Sequence, residues 1–182
     1  MNKKTKVPLK DYYNQDSERL FFRPLTLDDI KTWQPFFIDN PTLRFLGVSE
    51  FEHLSAIEKA SNWIGRQVDR QANNAFGQLA VISKESDTFL GVGGIIARDI
   101  DGVDEFEITY SLLPGAWGKG YATELAIHFK NYAFERIDTP TVVSIIHREN
   151  LASKNVARKN GMKISAEYSF LDMPVYIFRI SV

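Results

Sequence analysis

The sequence predicts one mixed α/β domain: a mostly antiparallel sheet of about seven strands, flanked by helices. Three observations predict it. Strand-like runs with alternating polarity and helix-like runs with 3.6-residue spacing interleave along the chain instead of segregating. One helical run, residues 121–136, is long enough to cross over between parallel strands. The 182 residues, 44% hydrophobic and 25% charged, suit a single globular domain with its own core.

Taken in order, residues 1–16 read as a flexible arm, its Lys3, Lys4, Lys6 and Lys10 a solvated terminus, and residues 17–182 as the domain. A first strand spans 20–23. Thr26 is placed as an N-cap, with Asp28 and Asp29 in the first helical turn where carboxylates suit the helix dipole. That helix runs over 27–38 and stops before Asn40-Pro41. A second helix covers 55–71, with Trp63, Ile64, Gln67 and Val68 on its apolar side. Strands follow at 78–83 and 89–98, joined through polar residues 84–88.

A fourth strand, 106–113, alternates Phe106, Ile108, Tyr110 and Leu112 against Glu107, Thr109 and Ser111. The helix 121–136 carries the stripe Ala122, Leu125, Ala126, Phe129, Tyr132, Ala133. A fifth strand lies at 142–146. Asn150 caps a last helix that Gly161 stops. Two strands, 163–170 and 175–180, close the chain around a turn at Asp172-Met173-Pro174.

Composition narrows the function. Lys and Arg number 22 against 23 Asp and Glu, for a net charge of −1, so the basic excess of a nucleic-acid binder is missing. Without cysteine there is no disulfide, no zinc-thiolate site and no acyl-cysteine intermediate, and no metal is expected. No apolar run approaches the roughly 20 residues that span a bilayer, and no signal-peptide core is seen, so no membrane partner and a cytoplasmic location are expected.

The informative segment is the strand-to-helix turn Trp117, Gly118, Lys119, Gly120, Tyr121, Ala122, Thr123. The glycines bare the backbone N–H groups, and a helix N-terminus adds unpaired donors and partial positive charge, a combination that suits phosphate. Gly120 after Lys119 breaks the Walker A pattern, and Thr123 stands where the dinucleotide fingerprint wants its third glycine. The coenzyme A loop Gln/Arg-x-x-Gly-x-Gly/Ala is matched at Gly120 and Ala122, with Trp117 in place of the Gln or Arg. An ordinary tight turn is the structural alternative.

Along nearly its whole length the chain resembles the GNAT acetyltransferase superfamily, most of all the branch of ribosomal-protein N-terminal acetyltransferases. The resemblance is carried by 17–29 (SERLFFRPLTLDD), by 107–123, and by 150–162 (NLASKNVARKNGM). It implies a sheet splayed between the fourth and fifth strands. It also implies acetyl-coenzyme A on residues 117–123, with its pantetheine arm against the backbone of Leu112 and Leu113 and against Asn150 and Asn155. The implied reaction is direct acetyl transfer to a primary amine, on a small molecule or a peptide N-terminus, by a monomer or homodimer. Many members carry a tyrosine acid seven residues after the motif's asparagine; here that position is Ala157. This departure motivates an alternative, a non-catalytic acyl-coenzyme A binding module.

Three residues are candidates for the chemistry. Glu107 is a base or a solvated sheet carboxylate. His147 is a base, or a structural histidine on the Asn150 turn. Ser153 assists the leaving thiolate or only bonds the backbone. Trp33, Phe36, Phe37, Phe45 and Trp63 are an acceptor pocket or the core face of two helices.

Overall fold

The computed structural model describes residues 11–47 and 51–182. Its strands are β1 (Gln15–Asp16), β2 (Leu20–Arg23), β3 (Gln78–Ser83), β4 (Phe89–Ile100), β5 (Val103–Leu112), β6 (Thr141–His147), β7 (Lys163–Phe170) and β8 (Met173–Ser181). They form one eight-stranded sheet in the order β1-β2-β3-β4-β5-β6-β8-β7. Neighbouring strands are antiparallel except β5 and β6, which are parallel and joined through the crossover helix α3 (Tyr121–Tyr132).

The sheet is buried on both faces because β3 and β4 carry apolar residues at successive positions. Leu79 and Val81 point into one core with Leu125 and Phe129 of α3. Ala80 and Ile82 point into the other, with Trp33 of α1 (Asp29–Trp33) and Ile64 of α2 (Ala56–Ala72). A side chain at Gly93 would meet Leu125 at 2.5 Å, so α3 rests directly on the backbone of β4.

The sheet parts between β5 and β6. Their register is recorded at Glu107↔Val143, whereas β4 and β5 pair from Gly91↔Leu112 to Ile100↔Val103. Ser144 donates to the Ile108 carbonyl at 2.9 Å. At the closed end, Arg179 bonds Glu105 at 2.6 Å and ties β8 to β5. Towards Leu112 and His147 the two strands diverge, and the last helix, α4 (Leu151–Lys159), follows β6 there.

Several expectations change. The first helix ends at Trp33 and continues as a 3-10 turn, Gln34–Phe37. Pro35 explains this, since it supplies no N–H and crowds the preceding turn. Thr26 does not cap α1. Its N–H donates to Asp29 at 2.9 Å, and Asp29 also takes both terminal nitrogens of Arg23, at 2.7 and 2.8 Å. α2, by contrast, has the full capping box of Ser55 and Glu58. β4 and β5 are longer than predicted and are joined at Asp101 and Gly102, both at positive φ. The β7–β8 turn is Leu171-Asp172, both at positive φ, while Met173 and Pro174 lie in β8.

The four arm lysines Lys3, Lys4, Lys6 and Lys10 lie outside the described residues. Within residues 11–16, Tyr12 and Tyr13 pack against the core while Asp11, Asn14 and Asp16 are exposed. Tyr12 is fully buried; its hydroxyl donates to the Gly77 carbonyl at 2.6 Å and accepts the Ile95 N–H at 2.7 Å. Ordering this segment offsets its entropy cost by burying an aromatic ring, worth about 1.5–3 kcal/mol. Among the described residues no helix is long and apolar enough to cross a membrane.

Candidate active site

The strand that borders the parting of the sheet runs straight into the glycine turn. Gly118 and Gly120 take φ of 74° and 82°, a conformation that disfavours any side chain. Gly120 is the N-cap of α3 and offers no side-chain cap. The first N–H groups of a 12-residue helix are therefore left without a side-chain acceptor, at its positive end. This donor set suits a phosphate or pyrophosphate, and the exposed Lys119 adds a cation.

One residue here threatens an anion: Glu124, in the first turn of α3. Its carboxylate is turned onto Ser17 Oγ at 2.6 Å and onto the Arg19 backbone N–H and Nε, both at 2.7 Å. Burial favours its neutral form, but these bonds prevail and hold its pKa below the ordinary value. Arg19 also donates to the Lys119 carbonyl at 3.0 Å and stacks on Tyr121, 4.7 Å from the ring centre. Sequence reasoning missed Arg19, because nothing local marks a residue a hundred positions upstream of the loop.

Trp117 does not point away as a passive replacement. Its indole N–H donates to the Leu112 carbonyl at 2.7 Å and folds the turn back on the strand. Leu113 is not a backbone donor to the gap: its N–H bonds Leu90, and its carbonyl accepts from Ala116. Since antiparallel bonding alternates along a strand, Leu112 and Tyr110 direct their main-chain groups to the opposite edge, towards β6. Leu112 thus keeps its N–H for the gap.

Between β5, β6 and α2 lies a cavity of about 270 Å³. Glu107, His147, Asn150 and Ser153 all line it, so the structure brings together candidates from β5, β6 and the start of α4. Asn155 is not among them; it is exposed on α4 and bonds Arg158 at 3.3 Å. Of the five aromatic candidates, Phe37, Phe45 and Trp63 line the cavity, while Trp33 and Phe36 are stacked in the core, 4.2 Å apart.

Glu107 is not a solvated carboxylate. It is 6% exposed and bonded to Arg98 at 2.6 Å. Burial pushes its carboxyl above the usual carboxylate range, against the opposing pull of Arg98, the Ile145 N–H and Arg70. Arg98 sits diagonally across the β4–β5 ladder, two residues beyond Ile96, which faces Glu107.

His147 accepts the Glu149 N–H on Nδ1 at 3.2 Å. In the neutral ring the proton is then on Nε2, which makes that nitrogen a donor. Asn150 accepts the Ser153 N–H and caps α4. The Tyr110 hydroxyl donates to the Ser153 carbonyl at 3.2 Å, and burial raises its pKa, so it stays protonated. Gln78 forms the polar floor, accepting from Trp63 Nε1 at 2.7 Å and donating to Thr109 Oγ1 at 3.2 Å. Among the described residues, no group of three or more His, Asp or Glu is placed to hold a metal.

Comparison with known proteins is consistent across sequence and fold. The acetyltransferase (GNAT) domain matches residues 19–163. The chain is similar to the uncharacterized N-acetyltransferase p20 of Bacillus licheniformis, 25% identical over 137 residues and 75% of each chain. An acetyltransferase from Agrobacterium tumefaciens superimposes with a TM-score of 0.75 at 23% identity, over 100% of this chain and 99% of that one. RimL, a ribosomal L7/L12 α-N-protein acetyltransferase solved with coenzyme A, superimposes with a TM-score of 0.72 at 14% identity, over 91% and 96%.

Proposed function

The chain belongs to the GNAT acetyltransferase family, and from that premise we propose that it transfers acetyl from acetyl-coenzyme A to a primary amine by direct attack. The observation that carries this reading is the uncapped N-terminus of α3 behind Gly120, at the end of the strand that presents Glu107 to the cavity.

Coenzyme A, when bound, supplies the acetyl group as a thioester. Backbone N–H groups of Tyr121, Ala122 and Thr123 would hold its pyrophosphate, with Gly118 and Gly120 admitting close approach and Lys119 adding charge. The Leu112 N–H is the donor available to polarise the carbonyl. Asn150 would steady the pantetheine arm.

An alkylammonium has a pKa near 10.4, so the acceptor must lose a proton before it attacks. Glu107 is the group for that task, because its raised pKa narrows the gap to the amine while Arg98 fixes its position. His147 is the weaker candidate base, since its Nδ1 is occupied and its Nε2 donates. On the leaving side, Ser153 lines the cavity and would assist departure of the thiolate by donating a hydrogen bond to the sulfur.

The second reading, a non-catalytic acyl-coenzyme A module, is favoured by one observation: Ala157 is buried and offers no hydroxyl from α4. Release of free coenzyme A from acetyl-coenzyme A in the presence of a panel of amines and N-terminal peptides decides between them. Turnover on any amine supports transfer. Tight cofactor binding with no turnover across the panel supports the module.

A further inference from the structure

The cavity and the glycine turn are separate places, and β5 connects them. Glu107, Ile108, Thr109, Tyr110 and Ser111 of that strand line the cavity, while the turn begins at Trp117. Leu112 lies between the two. A ligand with its phosphates on the turn and its reacting end beside Glu107 must therefore pass the Leu112 main chain. Both main-chain groups of Leu112 face the parting of the sheet, because the Leu113 N–H is spent on Leu90 and the direction alternates. The Leu112 carbonyl is already engaged: Trp117 Nε1 donates to it at 2.7 Å.

That bond fixes where the indole lies. With Nε1 on the Leu112 oxygen, the ring is held at the gap-facing edge of β5, on the line such a ligand would follow. The backbone beneath the ring is anchored, since Ala116 N–H donates to the Leu113 carbonyl at 2.9 Å and Trp117 N–H to the Pro114 carbonyl at 3.1 Å. Trp117 itself is 42% exposed. Its ring can leave by side-chain rotation, which is fast at an exposed residue and leaves the turn folded.

A bare strand edge pairs readily with an added extended chain. The pantetheine arm of coenzyme A is a chain of that kind. It carries two amides, and each N–H needs an acceptor once it leaves water. The indole and the arm therefore compete for one carbonyl oxygen.

We propose that Trp117 is a latch for the cofactor arm. Its indole closes the path along β5 by holding the Leu112 carbonyl, and it swings out when the arm takes that acceptor. The inference rests on the coenzyme A reading of residues 117–123. It goes beyond that reading in assigning Trp117 a movement that the arm causes and the phosphates alone do not.

The indole N–H proton reports the contact without any catalysis. The chain has three tryptophans, so isotope-labelled protein gives three indole signals in a nuclear magnetic resonance spectrum. Trp117→Phe assigns the signal in question, and Trp63→Phe checks the assignment by exclusion. The full chain is titrated with coenzyme A and with adenosine diphosphate, which has the pyrophosphate but no arm. The backbone amides of Gly118 and Gly120 report binding of either. Coenzyme A should displace the Trp117 signal and speed its exchange with water, whereas adenosine diphosphate should leave it in place. Trp117→Phe removes the donor, so it should tighten coenzyme A binding about two- to tenfold, the worth of one net hydrogen bond, with no comparable gain for adenosine diphosphate.

A Trp117 signal that stays put while coenzyme A shifts the Gly118 and Gly120 amides overturns the latch and leaves the cofactor reading standing. Equal displacement by adenosine diphosphate overturns it too. Weaker binding of both ligands by Trp117→Phe would make the indole a support of the turn, and the latch would be wrong. If coenzyme A shifts neither glycine amide, the cofactor reading fails and the latch falls with it.

Discussion

Arg19 Nε and Glu124 Oε2 lie 2.7 Å apart, joining the start of β2 to the first turn of α3. The contact keeps a carboxylate off the positive end of that helix, and the same guanidinium holds the Lys119 carbonyl. Arg19→Ala should release both. Acetyl-coenzyme A affinity is expected to fall about two- to thirty-fold, the size of a charge effect at a helix end. Adding Glu124→Gln should recover part of the loss. Calorimetry on the single and double variants checks this, and an unchanged affinity in Arg19→Ala would refute it.

Gly120→Glu should abolish cofactor binding. It places a Cβ at a φ of 82° and a negative charge at the cap of α3. No heat of binding should be seen with acetyl-coenzyme A, while the circular dichroism spectrum stays that of a folded chain. Equal binding by the wild type and a folded variant would remove residues 117–123 from the site.

Glu107→Gln should lower turnover by about 10²–10⁴, the usual cost of losing a proton-transfer group. The raised pKa of Glu107 adds a pH signature. The base works when ionised, so the rate should climb with pH through a value above the ordinary carboxylate range. The deficit of the variant should narrow at alkaline pH, where more amine is already neutral. A pH–rate profile measures both. Full activity in Glu107→Gln, with loss in His147→Ala, would transfer the role to His147.

Asp29 tests stability. Burial works to raise its pKa, but the bonds from Arg23 and Thr26 outweigh burial and hold it below the ordinary value. A depressed folded-state pKa contributes stability above the unfolded-state value and loses it as pH falls through the folded one. Asp29→Asn should therefore cost about 1.5–3 kcal/mol near neutral pH. The wild type should converge on the variant in acid. Melting curves from pH 7 downwards would show it, and a difference independent of pH would disprove the ionic origin.

Much of the fold is legible in the sequence because it is written locally. The period-2 alternation of 106–112 and the helical stripe from Ala122 to Ala133 each depend on residues within a few turns of one another. The Asn150 cap and the glycines of the loop are set the same way, and each survives in the structure. The misses are also local in origin. Pro35 shortens α1, and Leu171-Asp172 takes a two-residue turn that Pro174 disguised.

The sequence by itself determined most of the strands and helices, the family and the glycine turn before α3. Tertiary structure alone decided which distant residues share a space. The stripe Lys59, Arg66, Arg70 has the same spacing whether it faces water or a cavity, so periodicity cannot tell the two apart. Glu107 reads as a solvated carboxylate until the β4–β5 register sets Arg98 beside it and β6 closes over it. Tyr12 looks like part of a loose terminus until β3 and β4 present Gly77 and Ile95 to its hydroxyl. In each case the deciding contact joins residues far apart in the chain. It forms only because burying the faces of one sheet stabilises the fold enough to offset the entropy of closing those loops.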